Sequence, residues 1–164
     1  SEFADIDERV ATFASSCAEK LRAQKSHCKA LLVFMHTNPH QHSSPYYGKS
    51  IVVNLPYATN STIDIVHYAR KAAQYIFKKG YSYKKAGVVA LAITPEHTVQ
   101  LNLFEQAHPK HAKLMEVVDA LNTEIGEHKL RFAVQHAGRN WRMKQERMSP
   151  HYSTKLSDII QVVV

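Results

Sequence analysis

Apolar residues fall at Ile6, Val10, Phe13, Cys17 and Leu21, with Arg9, Glu19, Lys20, Arg22 and Lys25 around them. Steps of three and four put that stripe on one face of a helix spanning residues 5–25. The next run, "HCKALLVFMHTN" at 27–38, is mostly apolar without a helical stripe and predicts a buried strand. "TNPHQHSSPYYG" has the Pro, Asn, Ser and Gly content of a loop. "KSIVVNLPYA" predicts the returning strand, which Pro56 ends or confines to a sheet edge. A second helix follows over 60–80. Ser61 is its N-cap, Asp64 lies in its first turn, and Val66, Ala69, Ala73 and Ile76 line one face. Lys78 and Lys79 close the last turn, and Gly80 takes the left-handed position beyond it.

"KKAGVVALAIT" predicts a third strand, stopped by Pro95. Pro109 starts a third helix whose apolar stripe is Leu114, Val117, Val118, Leu121 and Ile125, and Gly126 stops it. Leu130, Phe132 and Val134 alternate as in a half-exposed strand. From Gly138 the chain is basic, then hydroxyl-rich, then apolar. The order of elements predicts an α+β fold, an antiparallel sheet with two helices on one face, followed by a smaller helix–strand unit. One stretch fits neither unit. In "TVQLNLFEQ", 98–106, the alternation of Val99, Leu101 and Leu103 suits a strand, but Phe104 then falls on the polar side.

At 164 residues the chain is long enough for one domain, or a domain with an appendage, and 45% hydrophobic content is enough for a core. It opens on Ser-Glu-Phe without Met, which reads as a cloning remnant on a piece of a longer protein. No apolar run reaches the roughly 18–20 residues that span a bilayer, so no membrane role is expected. Cys17 and Cys28, the two cysteines, are too few for a disulfide framework and fit a reducing cytoplasm. The formal net charge of +7 favours a polyanionic partner, nucleic acid first.

Catalytic chemistry is thin. Asp and Glu residues are scattered along helix surfaces rather than clustered for metal binding, and no Gly-rich phosphate loop is present. His40 and His42 lack the further ligands a zinc site needs. The basic residues are more informative. Lys29 and Lys49 stand at the starts of the first two strands, Lys84 and Lys85 at the start of the third, and Ser50 adds a neutral donor. Such residues hold a phosphate backbone without reading sequence. They equally serve as edge residues that block strand addition. "KGYSY" at 79–83 touches an RNA-binding signature, but Lys79-Gly80 ends a helix there instead of entering a central strand.

Five blocks in order resemble the UmuC-type Y-family DNA polymerases, the catalytic subunits of polymerase V assemblies: "ATFASSCAEKLR", "PYYGKSIVVNL", "YSYKKAGV", "VQLNLFE" and "WRMKQERMSPHYSTKLSD". The resemblance implies a little finger domain at 1–95, a connector at 96–106 and a family-specific C-terminal extension at 107–164. The family's little finger opens with a strand before its first helix, and this chain starts after it. A foreign or C-terminal strand, such as "IIQVVV" at 159–164, is then expected to complete the sheet, or two molecules to pair there. A second departure is "FAVQHAG" at 132–138, where the family has a glycine-bearing segment.

By the same resemblance, Lys29, Lys49, Ser50, Lys84 and Lys85 grip primer–template DNA. Gln100, Leu101, Leu103 and Phe104 form a peptide that docks on the bacterial sliding clamp, which answers the question raised by the connector. The other reading of that peptide is core packing between the two units. The implied function is a non-catalytic part of an error-prone translesion polymerase acting in SOS repair and mutagenesis. The palm carboxylates and their Mg2+ belong to an upstream catalytic core, so no cofactor is expected here. UmuD′ and RecA are implied partners by resemblance alone. The alternative is an independent ferredoxin-like module that binds RNA or serves as a scaffold.

Overall fold

The computed structural model describes residues 3–40, 45–98, 108–126, 129–135, 149–152 and 154–158. The three-and-four spacing near the N-terminus produces α1, Phe3–Ala23, which buries Ile6, Val10, Ala14, Ala18 and Leu21. The apolar run that follows is β1, Ser26–Thr37, and its return is β2, Gly48–Thr59. Then come α2 (Thr62–Ile76), β3 (Tyr83–Pro95) and α3 (Pro109–Ile125). Both pairings of β1 are antiparallel, and the sheet order is β2-β1-β3. This is the α+β class expected from the sequence.

One face of the sheet packs against α1 and α2. Leu31, Val33 and Met35 of β1 are fully buried there, and Val88 of β3 and Leu55 of β2 join them. Small buried residues, Ala11, Ala14 and Ala18 on α1 and Ala69, Ala72 and Ala73 on α2, let the helices approach closely. Arg70 clamps the same pair, donating to the two oxygens of Asp7 at 2.8 and 2.6 Å.

Cys28 is also fully buried, an odd number of residues from Leu31, so the inward phase of β1 changes between them. The β2 register explains the change. Ala30 pairs with Asn54 but Cys28 pairs with Thr59, so Lys29 alone spans four residues of the partner, Pro56 among them. Pro56 is therefore tolerated inside an edge strand where the ladder is already broken.

α3 docks across the end of α1 and the start of α2. Arg22 donates Nε and Nη2 to the two carboxylate oxygens of Asp119 at 2.6 and 2.7 Å. Its Nη1 donates to the Asn60 carbonyl and to Thr62 Oγ1. Met115 of α3 is buried, with 1% exposure. Ser61 is the residue before α2, as expected, yet its hydroxyl makes no cap bond and lies 3.2 Å from His111 Nδ1 of α3.

Three sequence expectations are corrected. The predicted stripe of α3 is only partly covered: Val118 and Leu121 are half-buried, but Leu114, Val117 and Ile125 are 46%, 50% and 58% exposed, because the Arg22–Asp119 pair and the buried Met115 turn the helix away from that stripe. Residues 129–135 form no strand. The Asn122 side chain bonds both the N–H and the carbonyl of Leu130, and a turn joins Gln135 to Phe132, so the backbone is satisfied without a ladder. Finally, α2 ends at Ile76 with Phe77 extended, and Gly80, φ 94°, serves the next turn. Among the described residues β2 and β3 are the outer strands; residues 159–164, expected as a completing strand, lie outside them.

Candidate nucleic-acid interface

The face of the sheet away from the helices is built from alternate residues of three strands. The pairings set out three rows across it: Val52–Leu32–Val89, Ser50–Phe34–Gly87 and Gly48–His36–Lys85. Neither Asp nor Glu occurs in these rows. Val52 and Val89 are 53% and 41% exposed. Two glycines make room for aromatic rings. A Cβ on Gly87 would stand 2.5 Å from Phe34 Cζ, and one on Gly48 would collide with the Tyr46 hydroxyl. The Phe34 and His36 rings lie 6.4 Å apart and 19° from parallel.

The lysines chosen from the sequence divide by position. Lys85 lies in the third row, beside His36, and is exposed. Lys84 is exposed too, and a register shift explains it. His36 pairs with Lys85 and Thr37 with Tyr83, so Lys84 is the extra residue of a bulge. Strict alternation would have sent the two lysines to opposite faces. Ser50 is exposed on the open face, opposite Phe34. Lys29 is exposed at the irregularity of β1, and the intervening residue on β3, Ala92, has φ 49°. Lys49 is not brought to this face. It pairs with Met35 in a helix-side row, and its Nζ lies 5.9 Å from the ring of Tyr75 on α2.

Sequence reasoning passed over Phe34, His36 and Tyr46. Their signal is an aromatic and an imidazole two residues apart near the end of a strand, with glycines on both neighbouring strands. His36 Nδ1 lies 3.0 Å from the Thr37 carbonyl. A carbonyl only accepts, so Nδ1 carries a proton and the neutral ring keeps Nε2 as an acceptor. Gln100, Leu101, Leu103 and Phe104 lie outside the described residues, as does His42.

The thiols offer no nucleophile. Burial pushes Cys28 up to about 11, and burial also raises Cys17 despite nearby Lys20. Among the described residues no group of three or more His, Cys, Asp or Glu side chains is placed to hold a metal ion. Nor is any described helix long and apolar enough to cross a membrane.

A family model described as the impB/mucB/samB family C-terminal domain matches residues 1–103. A second, described as a domain of unknown function (DUF4113), matches residues 112–162. Protein UmuC of Salmonella typhimurium is 37% identical over 164 residues, covering 99% of this chain and 39% of the relative. Protein ImpB of Salmonella typhimurium is 35% identical, covering 94% and 37%. Protein MucB of Escherichia coli is 33% identical, covering 92% and 36%. The chain thus spans less than two fifths of the length of these curated relatives. By the match over residues 1–103, the chain belongs to the impB/mucB/samB family, which its UmuC, ImpB and MucB relatives exemplify, and carries that family's C-terminal domain.

Proposed function

We propose that this chain is the DNA-gripping, clamp-docking C-terminal part of an error-prone translesion DNA polymerase subunit, and that it transfers no nucleotides itself. The observation that carries the reading is the open sheet face. It has no carboxylate in its three rows, it places Lys85 and Ser50 on one surface, and the Lys84 bulge adds a second cation at its end. A face of this kind meets phosphates, and phosphate contacts grip any sequence alike. The net charge of +7 supports the same partner. Gln100, Leu101, Leu103 and Phe104 supply the anchors of a docking peptide, an amide that both donates and accepts beside three large apolar side chains. The outward apolar residues of α3 favour a protein-contacting role for the extension, and UmuD′ and RecA are the partners its family resemblance implies.

Two titrations test this. The chain should bind duplexes of unrelated sequence with similar affinity, and it should bind a bacterial sliding clamp. Leu103→Ala with Phe104→Ala should abolish clamp binding and leave thermal melting nearly unchanged, since anchors of this type often cost about 2 kcal/mol or more each when truncated. A double variant that melts far lower identifies the segment as core. One that stays folded and still binds the clamp removes the docking peptide from the account.

A further inference from the structure

A shallow depression of about 240 Å3 opens on the sheet between Phe34, His36, Tyr46, Gly48 and Ser50; the intervening Met35 and Lys49 also border it, while the Lys49 ammonium lies 5.9 Å from the Tyr75 ring. Three of its lining residues, Phe34, His36 and Tyr46, carry rings. Tyr46 is 63% exposed and lies across Gly48, while Phe34 crosses Gly87. Both arrangements need a residue with no side chain beneath the ring, so the two glycines make the ring surface possible. Rings held this way cost little entropy to present, because each has only two side-chain torsions to fix.

Duplex phosphates do not explain these rings. In a duplex the bases are stacked on one another and their flat faces are hidden. An unpaired base exposes its faces, and aromatic side chains bind them whatever the base. The surrounding polar groups fit a base edge. Ser50 Oγ donates and accepts, and His36 offers an acceptor at Nε2 while Nδ1 is engaged by Thr37. Charge selects nucleic acid over an aromatic or proline-rich peptide. Lys85 stands next to His36 in the same row and Lys84 follows at the bulge, which suits a strand whose backbone runs along the lysines while its bases turn onto the rings.

We propose that this depression is a stacking site for unpaired nucleobases, so that the sheet face holds single-stranded nucleic acid as well as duplex. The inference rests on the DNA-gripping reading and adds a second substrate form to the same face.

The test compares a 12-nucleotide single strand carrying 2-aminopurine with the duplex of the same sequence, both titrated against the full chain. The readout is the ratio of single-strand to duplex affinity. Phe34→Leu and Tyr46→Leu keep apolar bulk and remove the ring. Tyr46 is exposed, so its variant remains informative should the Phe34 variant lose its fold. Each should lower the ratio by about fivefold or more, the range that loss of one stacking ring gives. Quenching of 2-aminopurine on binding should weaken with it. A smaller fall in the ratio for the folded variants overturns the stacking site and leaves the duplex grip standing. If the unmodified chain binds neither form, the DNA-gripping reading fails first and the stacking site with it.

Discussion

The guanidinium of Arg22 and the carboxylate of Asp119 meet at two points, 2.6 and 2.7 Å, across 97 residues of sequence. This pair ties α3 to the end of α1 and, through the Asn60 carbonyl and Thr62, to the start of α2. Arg22 is the more buried partner, with side-chain exposures of 13% and 33%. Asp119→Ala leaves Arg22 its bonds to Asn60 and Thr62 but removes the carboxylate that fixes α3. A cost of about 1–3 kcal/mol is expected, below the full value for breaking a buried pair because Asp119 is partly solvated. Hydrogen exchange should locate the loss: α3 amides lose protection while those of β1 keep theirs. Unchanged protection in α3 would mean that the buried Met115 and the contacts of His111 with Ser61 and Asp64 hold the helix without this pair.

How much of this was legible beforehand depends on the range of the interactions. The stripe of α1, the position of Ser61 before α2 and the runs that form β1, β2 and β3 are local signals, and the structure agrees with them. The rotation of α3 was not, because Asp119 finds its partner on a helix far away in sequence. Residues 129–135 alternate like a strand, but the amide of Asn122 takes the place of a neighbouring strand. On the sheet, alternation predicted that Lys84 and Lys85 diverge, and a single bulge residue undoes that. Lys49 and Ser50 are adjacent in sequence and part to opposite faces, as alternation requires. The rings of Phe34 and Tyr46 gain their setting only from Gly87 and Gly48, which are close in space.

Gly87 and Phe34 should be energetically coupled. Gly87→Ala places a methyl group where the Phe34 ring lies and forces the ring to move, at about 1 kcal/mol or more. In a Phe34→Ala background the same change should cost distinctly less. A double-mutant cycle from urea denaturation should give a coupling of at least about 0.5 kcal/mol. Additive effects would mean that the ring swings aside freely.

His27 should make the fold less stable in mild acid. Its Nδ1 is buried with no hydrogen-bond partner among the described residues. Burial lowers its pKa, with Glu96 opposing. The unfolded chain takes up this proton near the ordinary value of about 6.5, the folded chain only below it. Between the two values the unfolded state binds more protons, so stability rises with pH. The penalty is absent above about 6.5, grows as the pH falls from there to the lowered folded value, and is constant below it. Melting temperatures between pH 7.5 and pH 5 should fall less steeply for His27→Gln than for the parent chain. Parallel curves would assign the acid sensitivity to other histidines.

The central claim is that the open sheet face grips nucleic acid through its backbone, and the salt dependence of duplex binding tests it most directly. Each neutralised phosphate contributes about 0.9 to the slope of log affinity against log salt. Lys84→Ala with Lys85→Ala should reduce that slope by roughly one to two units and weaken duplexes of unrelated sequence to the same extent. Lys49→Ala, on the opposite face, should change the slope less. A slope unchanged by the Lys84 and Lys85 substitutions, or a loss confined to one sequence, would contradict the account.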